Sequence, residues 1–267
     1  MNSTQDIGWY ELIIGNCLVV LPLLIFWYYK AKLLKDSIIA VIRMVVQLLF
    51  VGFYLEYLFK LNNSFVNVLW VFIMIIVATF SITSSAKLKI KYFAVPNFVA
   101  ILFSLILVDA FFLGYLIKLP NVFEAQYLIP ITGMILGNSL QNNIISLNSF
   151  YNDIRKNEIQ YRYSLSCGAT LKEATQPFMQ EALRKSFSPT IAKMAVLGLI
   201  SLPGTMTGQI IGGSSPVVAI KYQILIMVMI FVSSVMSVAL AIIIANRFTF
   251  DKYFNLKYEI FSNKGKK

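Results

Sequence analysis

No histidine occurs anywhere in the 267 residues. That removes the commonest metal ligand and the commonest general base, so a Ser-His-Asp hydrolase and a histidine-based zinc site are both excluded. Cysteine is nearly as scarce. Cys17 and Cys167 stand alone, which excludes a disulfide framework. Charge is thin as well: Asp, Glu, Lys and Arg make up 13% of the chain, against about 25% in ordinary soluble domains. No segment reads G-x-x-x-x-G-K-[ST] or G-x-G-x-x-G, so the chain has no P-loop for ATP and no dinucleotide fingerprint.

What is present is apolar. Hydrophobic residues make up 58% of the chain and the mean hydropathy is +0.73, which argues against a disordered chain or a soluble enzyme. A bilayer core of about 30 Å needs roughly 20 apolar helical residues. Seven segments qualify: 9–28, 37–58, 66–85, 96–116, 127–147, 194–211 and 222–246. Trp9 and Tyr10 flank the first at one end, and Trp27, Tyr28 and Tyr29 at the other, as in an aromatic belt. Residues 1–11 carry no Lys or Arg, unlike the basic start of a cleaved signal peptide. The expected architecture is an all-α, multi-pass cell-membrane protein of about seven spans, a single transmembrane domain over 1–267.

The net charge of +11 acquires meaning from where the basic residues fall. Nineteen lie in alternate loops and in the C-terminal segment, three (Lys60, Lys118 and Lys221) lie in the opposite loops, and Arg43 lies inside a span. By the positive-inside rule the N-terminus is outside and the C-terminus cytoplasmic, with the charge serving orientation rather than nucleic acid. Residues 148–193 then form one long helical cytoplasmic loop, and 248–267 a flexible, solvated cytoplasmic tail ending in a lysine-rich stretch. Within the loop, charges at helical spacing over 153–162 extend the fifth span. Gly168 stops that helix. Thr170 with Glu173 reads as a capping box opening a short helix, Pro177 kinks or ends it, and Pro189 opens the next span. A short helix clamped between two spans is either a lever for a partner or a surface cap on the bundle.

Polar and small residues inside the spans mark the rest. Arg43 and Gln47 share one helix face, with anchoring and substrate contact both open. In the fifth span Gly133 and Gly137 permit close helix approach, while Met134, Asn138, Gln141 and Asn142 cluster on an adjacent face. These amides are either helix glue or a translocation lining. In the sixth, Pro203 breaks the ladder ahead of Gly204, Gly208 and Gly212, and Met206 and Gln209 face one side. Glu56 and Asp109 are the candidate cation or proton ligands.

Taken together, Arg43-x-x-x-Gln47-Leu48 with Gly52, Pro130-Ile-Thr-Gly-Met-Ile-Leu-Gly-Asn138, Gly168-Ala169-Thr170, Gly198-Leu-Ile-Ser-Leu-Pro-Gly-Thr-Met-Thr-Gly-Gln209, Ser215-Pro216 and Ala219-Ile-Lys-Tyr-Gln223 resemble the FetB-like ABC permeases. The resemblance covers the whole chain, most specifically 127–225. It implies a non-catalytic permease subunit, paired as a homodimer in the lipid bilayer, with ATP and Mg on a separate ABC ATPase. It further implies that Cys167, Gly168, Ala169, Thr170, Glu173 and Ala174 couple to that ATPase, and that iron is exported. Plant relatives are linked to aluminium tolerance and nucleotide sugars, so a non-metal cargo is the alternative. Cys167 replaces the usual Leu of the family, and Pro177 interrupts its short helix. An ion-coupled secondary transporter is the other alternative. It would want paired intramembrane carboxylates or inverted repeats, neither of which is evident. An intramembrane enzyme lacks a catalytic constellation.

Overall fold

The computed structural model describes residues 7–262. Helix α1 (Trp9–Cys17) and helix α2 (Val20–Tyr28) follow each other across a one-step break at Leu18-Val19. Then come α3 (Leu34–Leu61), α4 (Ser64–Ser85) and α5 (Ile90–Asp109), the last passing into a π-helical stretch, Ala110–Leu116. Helices α6 (Ala125–Lys156), α7 (Glu158–Ser166), α8 (Leu171–Val196), α9 (Gly204–Ile211) and α10 (Pro216–Thr249) complete the set. Among the described residues there is no strand, only isolated bridges.

The corners follow from local chemistry. Asn62 ends α3 in the left-handed conformation at φ 36°. Its side-chain oxygen accepts from the Ala125 N–H at 3.1 Å, fastening this corner to the start of α6. Asn63 caps α4 by accepting from the Phe65 N–H at 2.9 Å. Ser215 caps α10, whose first residue is Pro216, where a missing N–H costs nothing.

Five stretches are long and apolar enough to cross a membrane: Trp9–Tyr28, Leu34–Leu61, Ser64–Ser85, Ile90–Leu116 and Pro216–Thr249. The other two expected spans depart from this. Helix α6 has the length, 32 residues or about 48 Å, but its amides dilute its hydropathy. The segment 194–211 is not one helix. Helix α8 stops at Val196, residues 197–203 are non-helical, and only eight helical residues follow in α9. Gly198 sits at φ +85°, and its N–H donates to Ser201 O at 3.1 Å, closing a turn that Pro203 keeps from becoming helix.

The stretch 148–193 is helical on both sides of the expected turn at Gly168. It contains the end of α6, all of α7 and most of α8. Helix α8 continues unbroken through Pro177 and Pro189. Pro177 and Pro189 are exposed, so a carbonyl orphaned near either ring is free to turn to its surroundings instead of being buried.

The core lies between α4, α5, α6, α8 and α10, where Phe93, Ile101, Phe112, Ile135, Leu147, Tyr151 and Val238 are fully or almost fully buried. Helices α1 and α2 bury no residue and α3 buries only Leu58. Polar pairs thread the core: Ser139 with Ser234 at 3.0 Å, Asn143 Nδ2 donating to Ser237 at 2.8 Å, and Asn97 Nδ2 donating to Thr83 at 3.1 Å. In an apolar medium such groups are stable only when paired with each other.

The C-terminal segment is not flexible as far as it is described. Residues 250–262 fold back under the bundle. The Lys89 N–H donates to Ile260 O at 2.7 Å, and the Ser262 N–H to Lys87 O at 2.9 Å. The Tyr161 hydroxyl donates to Phe254 O at 2.6 Å, and Ile260 is wholly buried. Phe250, Leu256, Ile260 and Phe261 supply the apolar anchors, which basic neighbours obscure in a composition average. The lysine-rich end, 263–267, lies outside the described residues.

Candidate functional site

Helices α6, α8 and α10 enclose a polar groove of about 200 Å³. Asn138, Gln141 and Asn142 of α6 recur at three- and four-residue intervals, so all three face it. Helix α8 contributes Ser186, Thr190 and Lys193, again one helical face, and α10 contributes Met227 and Ile230. The floor is buried, with Asn142 4% and Ser186 1% exposed. Thr190 donates to Asn142 Oδ1 at 3.3 Å, and Asn138 Nδ2 donates to Met134 O at 2.8 Å. No carboxylate lines the groove. Two of the expected path residues, Asn138 and Asn142, therefore meet here. Met134 lies a turn away, half-buried.

Lys193, Ser186 and Thr190 were missed. With Pro189 as the start of a new span, the sequence pattern places Lys193 in a loop as an orienting charge. The usable signal was the 3.6 period itself: Ser186, Thr190 and Lys193 keep one face if the helix that opens at Thr170 simply continues.

The α9 residues form a neighbouring element. Met206 is buried, and Thr205 donates to Gln223 of α10 at 2.6 Å. Gln223 lies one turn from the groove-lining Met227. Gly133 makes the close approach expected of it, since a Cβ there would meet Met74 Cε at 3.3 Å, whereas Gly137, Gly204 and Gly208 have nothing within 4 Å. Pro203 caps α9 and Gln209 is half-buried. Arg43 and Gln47 are exposed on α3 and are not among the groove residues.

The two acids are partnered separately. Glu56 pairs with Lys60 at 2.7 Å, both well exposed. Asp109 is buried where α5 becomes π-helical. It accepts from Thr132 Oγ1 at 2.8 Å, while its Oδ1 has no partner. Among the described residues no group of three or more His, Cys, Asp or Glu side chains could hold a metal ion.

The expected capping box is present. Glu173 N–H donates to Thr170 Oγ1 at 3.3 Å, and the Thr170 N–H and hydroxyl donate to Glu173 Oε2 at 2.8 and 2.7 Å. These bonds hold the Glu173 carboxyl below its ordinary range. Gly168, at φ +89°, turns the chain between α7 and α8. Cys167, Gly168 and Thr170 are exposed, Ala169 is half-buried and Ala174 is packed inward. Beside this corner lies a larger groove of about 900 Å³, lined among others by Leu171, Lys172, Met179, Ile242 and Arg247.

A profile of UPF0014, described as an uncharacterised protein family, matches residues 9–250. The membrane protein YjkA of Bacillus subtilis (strain 168) is 33% identical over 248 residues, covering 92% of this chain and 95% of that one. A protein named probable iron export permease protein FetB, from Escherichia coli (strain K12), is 31% identical over 261 residues, 97% of each chain. The protein named ALUMINUM SENSITIVE 3, of Arabidopsis thaliana, is 31% identical over 247 residues, 92% of this chain and 88% of its own. No solved structure matches.

Proposed function

Because this chain belongs to the UPF0014 family of multi-pass membrane proteins, we propose that it is the permease subunit of an ATP-driven exporter and exports iron. ATP and Mg are held by a separate ABC ATPase, and two permease copies assemble in the cell membrane. The corner from Cys167 to Ala174 is the docking point on the cytoplasmic side. The name of the FetB relative supports both the permease role and the cargo.

One observation carries the reading. Helix α8 is a continuous rod of 26 residues, about 39 Å long. It begins at the capped, exposed corner and ends beside the groove through Thr190 and Lys193. Force applied at Thr170 and Glu173 by a closing ATPase therefore reaches the groove along one uninterrupted helix. The open faces at Gly204 and Gly208 suit close approach of the second copy. The lone Asp109, with its unpartnered oxygen, favours an ion-coupled carrier as the second reading.

The test is co-purification with a candidate ATPase in lipid. The permease reading expects a stable complex whose ATP hydrolysis rises on assembly, and loss of transport in Glu173→Ala and Gly168→Val. Full transport by those variants, with no ATPase bound, would sink it. A strain lacking the chain should accumulate iron; unchanged iron content argues for another cargo.

A further inference from the structure

Resting on the permease reading, we infer that the groove between α6 and α8 is an oxyanion subsite, recognising carboxylate or phosphate oxygens of the cargo rather than a bare metal cation.

The hydrogen-bond inventory carries the point. Asn142 Oδ1 is occupied by Thr190, which leaves Nδ2 to donate. Ser186 spends its hydroxyl on Ala182 O, at 2.9 Å. Gln141 and Lys193 make no hydrogen bond within the described residues, so the Lys193 ammonium brings three N–H donors and the Gln141 amide two. The wall therefore offers free N–H donors beside the amide oxygens of Asn138 and Gln141, and carries one positive charge with no compensating carboxylate. A hard divalent cation needs several oxygen ligands, usually anionic, and here it would face an ammonium instead. An anion with exposed oxygens satisfies every free donor.

Position along the helix sets Lys193 apart from the paired lysine of the same element. Lys185, at one end of this part of α8, pairs with Asp153 of α6 at 2.8 Å. Lys193 is about 12 Å further along α8, and Asn142 and Asn138 lie roughly 16–22 Å from Asp153 along α6. Lys193 is exposed at the mouth of the groove, and among the described residues its ammonium makes no ion pair of the kind that holds Lys185. At about 200 Å³ the groove is smaller than pockets of roughly 300–1,000 Å³ that enclose whole ligands. It seats a small oxyanion or the anionic end of a larger molecule. Exported iron would pass as a complex with a negatively charged oxygen coat.

The same oxygens could come from a lipid phosphate, so the experiment has two arms. The full chain is placed in nanodiscs of phosphatidylcholine, without ATPase, and titrated with citrate, inorganic phosphate and ferrous ion alone. Citrate or phosphate should bind saturably and ferrous ion should not. Lys193→Gln should weaken the anion by roughly 10- to 100-fold, the worth of a charged hydrogen bond, with an unchanged unliganded melting temperature. Lys193→Arg should retain binding, and Gln141→Glu, at the exposed rim, should weaken it. In nanodiscs containing phosphatidylglycerol, retained citrate binding assigns the site to soluble cargo, and competition assigns it to a headgroup phosphate. No anion binding by the wild type, or equal binding by Lys193→Gln, overturns the subsite. A failure of any ATPase to associate would instead strike the permease reading, because binding here is measured on this chain alone.

Discussion

Tyr161 shows what one buried hydroxyl does. Its ring is enclosed between Phe178 and Phe250, and its O–H is the partner of Phe254 O, where the backbone adopts φ 61°. Burial, and then the nearby Asp251 charge, push its phenol up to about 12. Tyr161→Phe should cost about 1 kcal/mol, because the Phe254 carbonyl loses its donor. Limited proteolysis should then cut residues 250–262 faster while the helices stay intact. Two carboxylates add a pH dependence. Asp251 accepts the Tyr253 and Asn255 N–H groups, each at 2.8 Å, and the Asn255 bond above all holds its carboxyl below the usual range. Glu173 is lowered likewise by Thr170. A depressed folded pKa contributes stability above the unfolded value and loses it as pH falls through the folded one. Below about pH 4, hydrogen exchange should quicken at 170–174 and 251–257 before it does in the core. At this scale the sequence was partly readable. Thr170 and Glu173 declare themselves by spacing alone. Asn142, by contrast, reveals its role only once Thr190 arrives from a helix 48 residues away.

Helix α8 is where element-scale reading went astray, and the reason is physical. Proline removes one donor and crowds one carbonyl, a large cost in a buried helix. Pro177 and Pro189 are both exposed, Pro189 at the polar groove, so neither defect is buried. Meanwhile Ala174, Phe178, Ala182, Ser186 and Phe187 pack inward on both sides of Pro177 and up to Pro189, and that packing outweighs local propensity. The non-helical 197–203 stretch was misread for the opposite reason. Its hydropathy is high, with Leu199 88% and Ile200 80% exposed, but Gly198 and Pro203 set the backbone. Continuity of α8 can be tested directly. Replacing two exposed mid-helix residues, Gln176→Gly with Gln180→Gly, weakens the rod by about 1 kcal/mol per residue while keeping the register of the capped corner and of the polar groove. ATPase binding should survive and transport should be lost. Transport that persists would mean the rod carries no force.

For the whole molecule, composition was sufficient for class. An apolar, histidine-free chain with one-sided basic residues could hardly be anything but a multi-pass membrane protein. Tertiary arrangement was not legible. Nothing local says that α1, α2 and nearly all of α3 stand away from the core, because all three are as apolar as the helices that do pack. Orientation is testable with the two native thiols, both free and exposed. A membrane-impermeant maleimide should label Cys167 in inside-out vesicles but not in right-side-out ones. Cys17, inside the first apolar stretch, should need a permeant reagent in either. Labelling of Cys167 from the outside would invert the topology and remove its corner from reach of any cytoplasmic ATPase.

The folded-back segment also sets a clock. Tyr92 and Glu259 meet at 3.0 Å across 167 residues, and Lys87 and Lys89 take their backbone partners from Ser262 and Ile260. At about 5–20 residues per second on the ribosome, the turn between α4 and α5 waits roughly 10–30 s for them. During that interval every membrane helix has been made, yet the seam beneath them stays open. A chain interrupted before residue 250 would insert all its helices and still show a quality-control protease an unsealed edge.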